Sequence, residues 1–142
     1  MKNFIYTILF FLFISPTFAQ KADTIIGMGS KLKVHVYYFH ITNRCATCRG
    51  IEAKTMQTLD SLFQNNFKEG TLVFSSYNCE LPENSLLAKK YDAYGATLAI
   101  TTYENGKEIK TEDLTNWAFE KTHKATEFKT EFALKINELL KK

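Results

Sequence analysis

The motif Cys45-Ala46-Thr47-Cys48 lies where a strand pattern gives way to a helix pattern, and this junction strongly constrains the fold. The β-branched and aromatic run 34–39 upstream is typical of a buried strand. A thiol in the first turn of a helix faces free backbone N–H groups and the positive end of the helix dipole, which stabilise a thiolate. The placement favours redox chemistry, while a structural disulfide or an inert pair stays open as the alternative. Downstream, the apolar residues at helical spacing are Ile51, Leu59, Leu62, Phe63 and Phe67.

The composition indicates one domain with an ordinary hydrophobic core. The chain has 142 residues, of which 45% are hydrophobic, including 12 Phe and 7 Tyr. Its net charge of +3 comes from 18 basic and 15 acidic side chains, and no Lys/Arg block stands out. We therefore expect no nucleic-acid partner.

The first 19 residues carry the pattern of a secretory signal peptide. Lys2 is a short positive region, residues 4–14 are apolar, and Thr17-Phe18-Ala19 resembles a cleavage site. The apolar run is short for a bilayer span, which makes a membrane-anchor helix the weaker alternative. We expect an exported chain, periplasmic in a diderm bacterium, with no membrane span after signal removal. Residues 20–31 then form a flexible leader.

Export changes how the cysteines are interpreted. A disulfide persists outside the cytosol, but three cysteines cannot all pair within one chain. If Cys45 pairs with Cys48, then Cys79 is left over. It is either a third functional thiol or a small buried hydrophobe.

Residues 32–142 carry a regular succession of strand, helix and turn patterns. Gly70 suits a left-handed helix cap, and Asn105-Gly106 suits a hairpin turn. The pattern predicts an α/β fold with a four-stranded mixed sheet and helices on both faces. The predicted elements are a strand over 32–40, a helix over 48–67, a strand over 71–77, a short helix over 85–91, a strand over 97–103, a partner strand over 108–110 and a helix over 115–142.

Two of the predicted helices carry apolar residues that we expect to face the core. In the short helix these residues are Leu86, Leu87 and Tyr91. In the last helix they are spaced four, four and three apart and form one stripe. The stripe consists of Phe128, Phe132, Ile136 and Leu139.

This order of elements, with Cys45-x-x-Cys48 after a strand and residues 91–98 before the hairpin, resembles the thioredoxin-like superfamily over residues 32–140. The resemblance implies a thioredoxin-like fold and thiol–disulfide chemistry. More narrowly, Tyr38-Phe39-His40 followed by residues 44–49 resembles the arsenic-operon-linked nitrophenyl-compound nitroreductase subunit (ArsF) family. That name implies nitroreduction, but the chain carries no glycine-rich dinucleotide loop or evident flavin site. We therefore expect no cofactor and no nitroreductase activity of this chain alone.

Three departures from the thioredoxin pattern affect the expected site. Arg44 replaces the Trp before the first cysteine, and Ala46-Thr47 replace Gly-Pro. Ala96, followed by Thr97, stands where thioredoxins carry a cis-proline facing the disulfide. We expect a trans bond at Ala96, because a cis bond without proline costs about 3 kcal/mol. The run 38–40 supplies no acid behind the cysteines.

Thiol–disulfide exchange is the first functional hypothesis. Cys45 is the expected exposed nucleophile, and Cys48, buried one turn further in, is the expected resolving thiol. Arg44 and Arg49 add positive charge near the thiolate, with plain solvation as the alternative for Arg49. His40 is either a proton shuttle or a capped residue at a strand end. The expected partners are protein thiols or disulfides and an electron-donor reductase, and the expected state is a monomer.

Binding of a soft ion without catalysis is the second hypothesis. Cys45, Cys48 and Cys79 supply three thiols, and such a site would suit trivalent arsenic. A tetrahedral zinc site lacks a fourth ligand, and c-type haem attachment is excluded because Arg49 stands where its motif needs His. A redox-inactive interaction module with the same fold is the third hypothesis.

Overall fold

The computed structural model describes residues 33–141, so the predicted signal peptide (1–19) and leader (20–31) lie outside the described residues. A short 3₁₀ turn, Pro82–Asn84, precedes the third helix. No helix within residues 33–141 is long and apolar enough to cross a membrane. The remaining elements are β1 (Lys33–His40), α1 (Ala46–Leu62), α2 (Gln64–Lys68), β2 (Leu72–Asn78), α3 (Ser85–Lys90), β3 (Thr97–Glu104), β4 (Lys107–Asp113), α4 (Thr115–Lys121) and α5 (Ala125–Leu140).

The four strands form one mixed sheet in the order β2-β1-β3-β4. β1 pairs in parallel with β2 and antiparallel with β3, and β3 pairs antiparallel with β4. Tyr38 and Phe39 point to opposite faces of β1, and both are fully buried. The sheet therefore has β1 at its centre, and the predicted four-stranded mixed α/β architecture is confirmed.

Alternate residues of β1 belong to two separate cores. Val34, Val36 and Tyr38 pack under α1, α4 and α5 in the larger core. Tyr37 and Phe39 pack against α3 on the opposite face. Helices cover both faces of the sheet, as predicted. The predicted stripe of α5 is buried in the larger core, with Phe128, Phe132, Ile136 and Leu139 facing inward.

Two turns have the left-handed backbone conformation that their sequences predict. Gly70 has φ 69°, and Asn105 and Gly106 have φ 52° and 76°. The Asn-Gly turn sets β4 against β3 over Lys107–Asp113, which is longer than the predicted 108–110. The prediction was too short because β4 consists mostly of exposed charged and polar residues. Its pairing follows from the turn and from β3 more than from a hydrophobic pattern.

Both long predicted helices are interrupted, and the burial of a side chain accounts for the first break. Phe63 leaves the helical conformation (φ −126°, ψ 24°) and is only 3% exposed in the core. Leu62, which fits the helical spacing, is 51% exposed instead. The last helix breaks after Lys121, so that α4 contacts β3 while α5 contacts α1 and β1.

The inward face of α3 differs from the predicted one by a single residue. Leu86 is 84% exposed, so its predicted inward orientation is wrong. Leu87 and Tyr91, four apart, do pack on the smaller core, and Ala88 is buried between them. A helix of six residues can bury only one narrow stripe, and Leu86 lies outside it.

His35 is an ionisable group enclosed by the sheet. Its ring stacks on Tyr37 with centroids 3.8 Å apart, and its Nε2 lies 2.9 Å from Ser75 Oγ. Burial, reinforced by the positive charge of Lys33, lowers the pKa of His35 to about 4 from the ordinary 6.5. Between these values the unfolded chain binds more protons than the folded chain. Folding stability therefore falls as the pH falls through this window.

Phe132→Ala should lower the free energy of unfolding by about 3–5 kcal/mol, because it removes a fully buried ring from the larger core. Leu134→Ala on the same helix is the matched control. Leu134 is 59% exposed, and its truncation should cost about 0.5 kcal/mol or less. Urea denaturation measures both changes. Equal losses would contradict the assigned inner face of α5.

His35→Gln should flatten the acid dependence of stability. Its amide can still bond Ser75, but the variant has no proton to gain at this position. The wild type should lose up to about 3 kcal/mol more than the variant as the pH falls from 6.5 to about 4. Urea denaturation at a series of pH values measures this difference, and parallel profiles for the two proteins would refute it.

Candidate redox site

Cys45 and Cys48 form a disulfide at the start of α1, with their Cα atoms 5.1 Å apart. Cys45 is the N-cap residue of the helix, and its Sγ accepts the Cys48 backbone N–H at 3.0 Å. Cys45 is exposed and Cys48 is half-buried. Cys45 therefore lies at the surface, as the sequence analysis expects, whereas Cys48, one turn further in, is less enclosed than the buried position expected for it. Their roles as nucleophile and resolving thiol stay predictions.

The first turn of α1 is arranged to receive negative charge on Cys45. Ala46 is exposed and Thr47 half-buried, and no acidic side chain occurs in this turn. The free N–H groups of the turn and the helix dipole point toward the capping sulfur. The Cys48 N–H, which donates to Cys45 Sγ in the disulfide, would also donate to the Cys45 thiolate in the reduced protein. The turn thus provides a preformed environment for the reduced sulfur.

A polar network that the sequence analysis missed lies next to the motif. Arg44 forms an ion pair with Glu52, whose carboxylate also accepts a hydrogen bond from the Ser76 hydroxyl. The Arg44 guanidinium lies over the Tyr38 ring, 5.5 Å from its centroid. The Tyr38 hydroxyl donates to the Cys48 carbonyl oxygen at 2.7 Å. The network joins the residue before the motif to α1, β1 and β2.

Glu52 and Arg44 are both charged in this network. Burial pushes the pKa of Glu52 upward, but the bonds from Ser76 and Arg44 outweigh burial and hold it below its ordinary value. Burial pushes the pKa of Arg44 downward, but Glu52 outweighs it and raises that pKa. The two charges therefore cancel within one ion pair. The sequence signal for Glu52 was its position four residues after Cys48, on the same side of a helix.

Arg49 is exposed and holds the turn before the motif from outside. Its Nη1 donates to the Arg44 carbonyl oxygen at 2.5 Å. Within residues 33–141, Arg49 forms no ion pair with a carboxylate. Its contact is therefore more specific than plain solvation, and its charge is not cancelled by a neighbour.

His40 is engaged by the backbone at the end of β1. Its Nδ1 lies 3.0 Å from the Ile41 carbonyl oxygen, and its ring lies 6.4 Å from that of Tyr38. In the part of the chain that the structure describes, neither Cys45 nor Cys48 is a hydrogen-bond partner of the ring. These contacts favour the capped strand-end alternative over the proton shuttle.

Cys79 lies away from the disulfide, on the other face of the sheet. It packs with Tyr37 and Phe39 in the smaller core, and its Sγ donates to the His40 carbonyl oxygen at 3.2 Å. Burial raises the pKa of the Cys79 thiol. Among residues 33–141, no three His, Cys, Asp or Glu side chains gather as a metal site would require. The three cysteines therefore do not form the three-thiolate site of the second hypothesis, because Cys79, in the turn after β2, packs on the smaller core while the disulfide lies at the start of α1.

Ala96 and Thr97 lie at the edge of the sheet where β1 ends. Thr97 is buried and pairs with Phe39 of β1, and Ala96 packs against the larger core. No cis peptide bond occurs within residues 33–141, in agreement with the trans bond expected at Ala96. The loop before them exposes 78% of Tyr94, which the sequence analysis did not single out.

No protein-family model and no curated protein sequence matches this chain. Among solved structures it is similar to Fasciola hepatica thioredoxin, at 18% identity and a TM-score of 0.41 over 66% of this chain and 80% of that one. It is also similar to a structure described as a malarial protein, at 17% identity and a TM-score of 0.38 over 65% of this chain and 98% of that one. A third similar structure is Chlamydomonas reinhardtii thioredoxin f2, at 15% identity and a TM-score of 0.39 over 67% of this chain and 82% of that one.

The thioredoxin-like resemblance agrees with the architecture itself. A central strand leads into a helix that a CxxC disulfide caps, and a hairpin and a closing helix complete the four-stranded sheet. This is the arrangement that the resemblance to the thioredoxin-like superfamily implies. The narrower resemblance to the arsenic-operon-linked family finds no support in the sequence comparisons.

Under reducing conditions, Cys45→Ser should be more stable than Cys45→Ala by about 1 kcal/mol. The serine hydroxyl can replace Sγ as the acceptor of the Cys48 N–H, whereas alanine leaves this helix start uncapped. Both variants lack the disulfide, so their difference isolates the cap. Urea denaturation with excess dithiothreitol measures it, and equal stabilities would rule out Cys45 as the cap.

Proposed function

We propose that this protein is a thiol–disulfide oxidoreductase that cycles Cys45 and Cys48 between dithiol and disulfide. The observation that supports this most strongly is the position of Cys45 Sγ. It is exposed, caps α1 through the Cys48 N–H and is bonded to a half-buried second sulfur. A purely structural disulfide needs neither the exposed sulfur nor the electropositive helix end.

In the reducing direction, the Cys45 thiolate attacks one sulfur of a partner disulfide. A mixed disulfide forms between Cys45 and the partner, and the partner's other sulfur leaves as a thiolate that takes up a proton. Cys48, after losing its proton, attacks Cys45 Sγ and releases the second partner sulfur. Two electrons pass to the partner, and the Cys45–Cys48 disulfide is left. The same steps in reverse oxidise a partner dithiol.

The proposed partners follow from this chemistry. The substrates are protein disulfides or thiols, and a reductase that donates electrons would restore the dithiol after each reducing cycle. We also propose that the chain acts after export as a monomer, in the periplasm if the source is a diderm bacterium. The signal-peptide pattern of residues 1–19 supports the export proposal.

Neither alternative function gains support from a specific contact. The soft-ion hypothesis needs Cys79 beside the pair, and Cys79 packs on the opposite face of the sheet. The arsenic-operon-linked resemblance that suggested this hypothesis has no sequence match behind it. A redox-inactive module remains the competing outcome of the experiment below.

The full chain should catalyse the reduction of insulin by dithiothreitol or, in the opposite direction, the oxidation of a reduced dithiol peptide. Cys45→Ser should abolish turnover, because it removes the attacking sulfur. Cys48→Ser should accumulate a mixed disulfide with the substrate, which a non-reducing gel or mass spectrometry detects.

Cys79→Ser is the control for these two variants and should retain the wild-type rate. If Cys45→Ser turns over both substrates as fast as the wild type, the exchange function is wrong. A wild-type protein that is inactive in both assays would identify the redox-inactive module instead.

A further inference from the structure

We propose that Arg49, rather than Arg44, is the cation that stabilises the reduced Cys45 thiolate, and that Glu52 causes this division by pairing with Arg44. The inference rests on the proposed exchange function and assigns a positioning role within it. Arg49 acts on the nucleophile through its charge, which its hydrogen bond to the turn holds in place, without touching the substrate.

Arg44 is next to Cys45 in sequence, but its charge is directed elsewhere. Its guanidinium pairs with Glu52 and lies over the Tyr38 ring, and both partners of the ion pair are less than one-fifth exposed. Because the negative charge of Glu52 is in contact with Arg44, the two side chains together act as a dipole. The field of a dipole falls off faster with distance than that of a lone charge. Arg44 therefore secures the loop against α1 and β1 and contributes little potential at Cys45.

Arg49 is held beside Cys45 with its charge uncancelled. Its Nη1 bonds the carbonyl oxygen of Arg44, and that carbonyl carbon is bonded directly to the Cys45 nitrogen. The guanidinium is thus hydrogen-bonded to the peptide unit that contains the Cys45 nitrogen. Within residues 33–141 it pairs with no carboxylate. It is the cation near the motif that can act on a thiolate at full charge.

The position of Arg49 also conflicts with what helix stability alone favours. Acidic side chains near the N-terminus of a helix stabilise the helix and basic side chains destabilise it, because of the helix dipole. The first turn of α1 carries no acid, and Arg49 follows it directly. A cation at this end of α1 therefore gains nothing from the helix dipole. The charge fits the need of a thiolate better than that of the helix.

Other ionisable groups surround the turn that carries Cys45, and they are the same in every variant at position 49. Tyr38 and His40 come from β1, and Glu80 follows β2 and accepts the Thr42 backbone N–H at 2.9 Å. Together with Glu52, these groups set the baseline of the Cys45 titration. Differences between variants at position 49 therefore report on Arg49 itself.

The test measures the alkylation rate of Cys45 against pH in the fully reduced chain, with iodoacetamide as the probe and peptide mass mapping to identify the labelled residue. Arg49→Gln should raise the Cys45 pKa by about half a unit, which leaves about threefold less thiolate at a pH below it. Arg49→Lys should retain the wild-type pKa, because it keeps the charge. The difference between wild type and Arg49→Gln should shrink in 1 M salt, where the screening length is about 3 Å.

The matched variant is Arg44→Gln combined with Glu52→Gln, which removes both charges of the ion pair together. It should keep the Cys45 pKa within the error of the wild type. Glu52→Gln alone should lower the pKa, because it leaves Arg44 without its counter-charge.

An unchanged pKa in Arg49→Gln, or a rise as large in the Arg44/Glu52 double variant, would overturn the inference. A shift that persists in 1 M salt would also overturn it, since it would identify a purely structural hydrogen bond. These outcomes are separate from a failure of the exchange function. That failure would appear as loss of disulfide exchange in the wild type itself, whatever the Arg49 variants do.

Discussion

The hydrogen bond from the Cys48 backbone N–H to Cys45 Sγ fixes where α1 begins, and the rest of the site depends on that position. A helix that began one residue later would leave Cys45 outside the cap position, where its sulfur accepts the Cys48 N–H. The central strand β1 supports the cap from below through Tyr38, whose hydroxyl bonds the Cys48 carbonyl oxygen. The site therefore combines a rigid sheet, a helix end and an exposed sulfur, as disulfide exchange requires.

The sheet separates the three cysteines into two groups, because Cys45 and Cys48 lie at the start of α1 and Cys79 lies in the turn after β2. One face of the sheet holds the larger core, α1 and the disulfide, and the other holds Cys79 and the smaller core. A cluster of three thiolates would require the sheet to be crossed. A half-buried thiol with a raised pKa that donates to a backbone oxygen behaves as a small residue of the core's margin. This separation favours exchange over soft-ion binding.

Local patterns predicted the elements of this fold well, and contacts between distant residues explain what they missed. The Asn-Gly turn, the cap at Gly70 and the α5 stripe all follow from short-range rules. The break at Phe63 does not, since it arises where that ring enters the core. The length of β4 is likewise set by its pairing with β3.

The candidate site shows the same division. The exposed first cysteine and the trans bond at Ala96 could be predicted from the residues alone, whereas α1 begins at Ala46, two residues before the predicted start, because Cys45 caps it. The ion pair between Arg44 and Glu52 joins residues eight apart across the start of a helix, and the Ser76 bond to Glu52 spans 24 residues. Such contacts depend on the packing of α1 against the sheet, which no local pattern encodes. They pair Arg44, which the sequence analysis expects to add positive charge near the thiolate, with the carboxylate of Glu52.

Limited alkylation of the reduced full-length protein tests the central claim most directly. One equivalent of iodoacetamide at neutral pH, followed by peptide mass mapping, reports which sulfur is both accessible and ionised. The account predicts that the label falls on Cys45, with Cys48 and Cys79 protected. Labelling of Cys79 or Cys48 first, or equal labelling of all three, would contradict it.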